Sequence, residues 1–76
     1  MFTIEHEFDA SVITLVDEGT TPLQEDVTLR AYDNRITVQQ WDAASDSLRT
    51  ITLSPNQLRD LAAALNLPEG IYHSAP

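Results

Sequence analysis

The chain contains no cysteine and no lysine, and its 76 residues include only two glycines and one tryptophan. Without cysteine there are no disulfides, no thiolate metal sites and no cysteine nucleophile. Without lysine, basic character rests on four arginines set against twelve acids, a net charge of −8. A phosphate backbone is held by clustered Lys and Arg, so nucleic acid is a disfavoured partner. Gly19 and Gly70 cannot build a glycine-rich phosphate loop. The longest apolar run, Val12–Val16, is interrupted by Thr14 and is too short for a bilayer. Met1–Phe8 carries two glutamates and no base, unlike a signal peptide. These absences describe a small acidic cytoplasmic protein with no membrane segment, no evident small-molecule substrate and no cofactor.

What is present suffices for one domain. A 42% hydrophobic fraction supports a folded core rather than disorder. The expected domain is residues 1–72, with Leu67–Tyr72 docking through Ile71 or Tyr72 and residues 73–76 forming a flexible tail. Charge is uneven along it. Residues 1–29 hold seven acids and no base, while residues 30–76 hold five acids and all four arginines. Glu5, Glu7, Asp17, Glu18, Glu25 and Asp26 therefore form a candidate acidic face, either solubilising or suited to a basic partner, as in a nucleic-acid mimic.

The pattern along the chain is that of strands followed by one helix. Phe2–Phe8 alternates with period 2, placing Phe2, Ile4, His6 and Phe8 on one face. Asp9-Ala10 is a short turn, and Ser11–Val16 is a strand apolar on both faces. Gly19 suits a positive φ after Asp17-Glu18, and a loop containing Pro22 follows. Val27–Tyr32 and Arg35–Trp41 flank Asp33-Asn34, residue types that tolerate the left-handed region of a tight hairpin. A two-residue loop pairs Ala31 with Ile36, Leu29 with Val38 and Val27 with Gln40 on the core face. Asp42–Ser47 is a polar loop, and Leu48–Leu53 a last strand with Ile51 and Leu53 toward the core. Ser54-Pro55-Asn56-Gln57 places Ser at the N-cap, Pro at N1 and Gln at N3, a capping box. Leu58, Leu61, Ala62 and Leu65 then form one stripe, and Asn66 and Pro68 stop the helix. The fold class is α+β: an antiparallel sheet of four or five strands, built as hairpins, with one C-terminal amphipathic helix packed on one face.

No catalytic or metal constellation stands out. His6 points away from Glu5 and Glu7 on a strand, and His73 has no nameable partner. Asp17, Glu18, Glu25 and Asp26 lack the ligand spacing of a calcium loop, so a small metal-binding protein is a disfavoured alternative. Ser54 is a helix cap rather than a nucleophile, and an enzyme is not expected. The remaining cluster is the hairpin's outer face, with Arg30, Tyr32, Arg35 and Trp41, and Leu48 beside Trp41. Those residue types dominate binding hot spots and also suit stacking on bases.

Ile36-Thr37-Val38-Gln39-Gln40-Trp41, the polar loop, and Ile51-Thr52-Leu53-Ser54-Pro55-Asn56-Gln57-Leu58 resemble the end of the positive-cofactor type transcriptional coactivators. There a curved sheet leads through an Ile-x-Leu-x-Pro-x-Gln-Trp motif into one helix. Ile51, Leu53, Pro55, Gln57 and Leu61 fall on that pattern, and Leu58 replaces its aromatic. The resemblance spans about residues 36–65 and implies a dimer binding single-stranded DNA on its sheet. The lysine-rich strands of that family are absent, and only Arg30, Arg35 and Arg49 stand in their place. The leading functional expectation is a non-catalytic protein-interaction module, a regulator in a phage or bacterium, self-associating as a homodimer or binding a basic partner. The alternative is a single-stranded nucleic-acid-binding, transcription-associated protein.

Overall fold

The computed structural model describes residues 1–67. Five strands follow in chain order: β1 (Phe2–His6), β2 (Ser11–Leu15), β3 (Val27–Ala31), β4 (Ile36–Asp42) and β5 (Ser47–Leu53). They form one antiparallel meander in the order β1-β2-β3-β4-β5, with β1 and β5 at the edges, and the helix α1 (Pro55–Asn66) follows. The fold is α+β, as the pattern implies. Residues 68–76, including Ile71, Tyr72 and His73, lie outside the described residues.

Register follows the alternation. Ala31 pairs with Ile36, Leu29 with Val38 and Val27 with Gln40, and the Tyr32 N–H donates to the Arg35 carbonyl at 2.8 Å. The turn that sets this register differs from expectation. Asp33 and Asn34 keep negative φ, and among the described residues only Asp46 is left-handed, at φ 52°. Asp46 closes the β4–β5 turn, where aspartate's short polar side chain tolerates that region better than most. Gly19 likewise keeps a negative φ. Its N–H donates to Asp17 Oδ1 at 2.9 Å, and a Cβ there would lie 3.2 Å from that oxygen.

The β1–β2 reversal is also displaced by one residue. The Glu7 N–H donates to the Ala10 carbonyl at 2.8 Å, so Phe8 and Asp9 form the tip. Phe8 is thereby fully exposed instead of sharing a face with Ile4, and Ala10 is buried.

The helix begins where the cap dictates. Ser54 Oγ accepts from the Gln57 N–H at 3.1 Å, and Gln57 Oε1 accepts from the Ser54 N–H at 3.0 Å. At the other end Leu67 is extended, at φ −74° and ψ 139°, the conformation required before Pro68. The helix lies beside β5 and closes far less of the sheet than its stripe implies. Leu58 is half-buried, Leu61 and Leu65 are 50% and 43% exposed, and α1 buries none of its residues. Among the described residues the buried apolar ones are Ala10, Val12 and Ile36, the last 4% exposed.

Candidate interaction surface

Residues paired across antiparallel strands share a face, so the register sorts every strand side chain. One face carries an aliphatic row across all five strands: Ile4, Ile13, Leu29, Val38 and Ile51. Phe2, Leu15 and Val27 continue it on one side, where Gln40 and Arg49 complete the row, and Ala31, Ile36 and Leu53 on the other, where His6 and Ser11 complete it. The row is open at its edges, where Ile4 is 53% and Ile51 61% exposed. The middle of the row, Ile13, Leu29 and Val38, is half-buried.

The opposite face is mostly polar, with Val12 buried between Glu5 and Arg30. Thr3, Thr14, Thr28, Gln39 and Thr50 form its central row. Arg30 Nη1 donates to Gln39 Oε1 at 2.7 Å, and Gln39 Nε2 donates to Thr50 Oγ1 at 3.4 Å, tying three strands together.

The outer-face cluster of Arg30, Tyr32, Arg35, Trp41 and Leu48 divides between the two ends of this polar face. Trp41 pairs with Leu48 at one end, where both are exposed. At the other end the Arg35 guanidinium stacks 4.0 Å over the Tyr32 ring. Six residue steps along the strand separate Arg35 from Trp41, about 20 Å at ~3.4 Å per residue.

The acidic set divides in the same way. Glu5 lies on the polar face of β1, across from Val12, and Glu7 in the β1–β2 reversal. Asp17, Glu18, Glu25 and Asp26 occupy the β2–β3 connection, at the same end as the β4–β5 turn. Two carboxylates at that end are structural. Asp17 accepts from the N–H groups of Gln24 and Gly19, both at 2.9 Å, and these bonds lower its pKa below 3.8. Asp42 accepts from the Ser45 hydroxyl at 2.9 Å and from Arg49 Nε at 3.0 Å, which also lowers its pKa. A shallow cavity of about 390 Å³ lies here, lined by Leu23, Trp41 and the Asp42–Arg49 pair among others. His6 Nδ1 lies 3.2 Å from the Ser11 hydroxyl across the β1–β2 pair. Among the described residues, no three histidine or carboxylate groups come together as a metal-ligand set, and no helix is long and apolar enough to cross a membrane.

Residues 3–64, which include the whole sheet apart from Phe2, match the family described as a domain of unknown function, DUF8831. The chain belongs to the DUF8831 family. No curated protein and no solved structure matches it. The surface of this DUF8831 chain that sequence reasoning missed is its aliphatic sheet face. The alternation marks Ile4, Leu29, Val38 and Ile51 as inward, and the helix stripe supplies an obvious cover. Nothing in the spacing says that the two stay apart within one chain.

Proposed function

We propose that this chain is a non-catalytic protein-interaction module that works through its aliphatic sheet face. The single observation that carries this reading is the open row from Ile4 to Ile51, continuous across five strands. Five strands at ~4.8 Å spacing and five residues at ~3.4 Å rise give a patch of about 24 by 17 Å, roughly 400 Å² in projection, apolar except at His6, Ser11, Gln40 and Arg49. The largest apolar patch on a typical monomer is about 300–600 Å² and is often functional. On the opposite face Gln39 bonds Arg30 and Thr50, and the exposed apolar pair Trp41 and Leu48 sits at one end.

The remaining finer readings stand beside this one with less support. Binding of single-stranded nucleic acid calls for a basic track. Here Arg30 bonds Gln39, Arg35 stacks on Tyr32, Arg49 pairs with Asp42 and Arg59 bonds Asn56, so the four are dispersed. A basic partner at the β2–β3 end would meet Glu25 and Asp26, with Asp17 engaged by Gln24 and Gly19 and Glu18 3.8 Å from the Met1 amino group. A regulatory role in a bacterium or phage and a cytoplasmic location fit a cysteine-free acidic chain.

A photo-cross-linking residue placed at position 51 in the full chain, expressed in its native cells, tests the module reading. The expected result is a defined protein adduct from position 51 and none from position 39 on the polar face. Adducts from position 39 alone would overturn it.

A further inference from the structure

We propose that the occupant of the aliphatic sheet face is a second copy of this chain, so that two sheet faces and two helix stripes close on one another about a two-fold axis. This deepens the interaction-module reading and rests on it. Three observations single out a second copy.

The first is charge. The chain carries twelve acids, yet the central rows of the aliphatic face contain none. Glu5 lies on the opposite face, and Asp42 sits at the margin, already paired with Arg49. Glu7, Asp9, Asp17, Glu18, Glu25, Asp26, Asp33 and Asp46 fall in connections between strands. A basic partner would find nothing to neutralise on this face. A second copy at net charge −8 can approach because the acids are kept off the central rows; Asp60, on α1, lies off the Leu58–Leu61–Leu65 stripe, and Glu69 lies outside the described residues.

The second is self-complementarity. The chain exposes two apolar surfaces, the sheet row and the stripe of Leu61, Ala62 and Leu65, and each is the natural cover for the other. Among the described residues each is only partly covered within one chain: Ile36 is buried and Leu58 half-buried, while Ile4, Ile51, Leu61 and Leu65 stay exposed. An isologous pair presents both surfaces twice.

The third is area. The sheet patch projects roughly 400 Å². The 12-residue helix adds a strip about 18 Å long and ~10 Å wide. Together they project roughly 600 Å², and the accessible area of a corrugated surface exceeds its projection. Standard stable interfaces bury about 800 Å² per partner, and obligate homodimers are the most apolar of them.

Sedimentation velocity of the purified full chain is the test, with Ile51→Asp on the sheet, Leu61→Asp on the helix and Thr50→Asp on the polar face as the control. The unsubstituted chain and Thr50→Asp should sediment at twice the 8.5 kDa chain mass. Ile51→Asp and Leu61→Asp should each weaken the dimer at least about 30-fold, because one substitution acts twice about the axis. Should either variant fail to fold, the photo-cross-linking residue at position 51 in the purified chain supplies the second readout, and a covalent dimer is expected. A folded monomer at high micromolar concentration overturns the proposal, as does a dimer indifferent to both substitutions. So does a monomer that becomes dye-binding when residues 68–76 are removed, since the chain's own terminal segment would then be the cover. A purified monomer that cross-links to a different protein in cells overturns the second copy and leaves the module reading standing.

Discussion

Substituting Ser54 by alanine should loosen α1 without disturbing the sheet. Ser54 Oγ accepts the Gln57 N–H at 3.1 Å, and Gln57 reaches back to the Ser54 N–H at 3.0 Å, so one hydroxyl anchors half of a reciprocal pair. Loss of a serine cap costs about 1 kcal/mol. That is roughly a fivefold change in the helix–coil equilibrium, since ~1.4 kcal/mol is tenfold. In a helix held by a packed face such a change vanishes into the global transition. Here α1 is 12 residues long and buries no side chain, and isolated helices of that length are marginal. The opening is therefore local. Amide exchange at Leu58–Leu65 should quicken about fivefold in dilute Ser54→Ala, while exchange in β3 and β4 stays unchanged. At concentrations where chains associate, the difference should shrink as the stripe gains a cover. Equal exchange at Leu58–Leu65 in the two proteins, under dilute conditions, would refute the reasoning.

Other outcomes follow from the same framework. Among the described residues Ile36 is the most buried side chain, and Ile36→Ala should cost about 2–5 kcal/mol, against about 0.5–1.5 for Ile36→Val, read by urea unfolding. Asp17 and Asp42 have folded-state pKa values held below 3.8, so the folded chain binds fewer protons than the unfolded one. Their contribution is fully present above the ordinary carboxylate value and is lost as pH falls through the depressed values. Asp17→Asn and Asp42→Asn should each flatten the acid limb of the stability profile, as measured by thermal melting at a series of pH values. Asp46→Val should destabilise by about 1–2 kcal/mol, because a β-branched side chain is ill suited to φ 52°, whereas Asp46→Gly should not; denaturant midpoints decide.

The legible parts of this fold were those written in local chemistry. The Ser54–Gln57 box and the pre-proline stop at Leu67 needed only neighbouring residues. The Ala31–Ile36 register was legible too, because alternation leaves one way to keep Leu29 and Val38 on a common face. The type of turn was not, since Asp33-Asn34 closes the hairpin with negative φ as well as it would with positive. Phe8 was misplaced because its period-2 position continues β1, while closure of the Glu7–Ala10 hydrogen bond takes it out of the strand. The strand residues of the outer-face cluster share one sheet face by register, yet spacing in sequence concealed that its aromatic residues sit at opposite ends. Least legible was the cover of the sheet. An apolar stripe such as Leu58–Leu61–Leu65 states that it must be covered and says nothing about which chain supplies the cover.

The central claim, that the aliphatic sheet face is completed by association, is most directly tested by the thermal midpoint of the unsubstituted chain across a hundredfold range of protein concentration. Mass action stabilises an associated native state by about 2.7 kcal/mol over that range, which for two small chains unfolding together is a rise of roughly 5–10 °C. A cooperative transition whose midpoint stays fixed across the same range would contradict it.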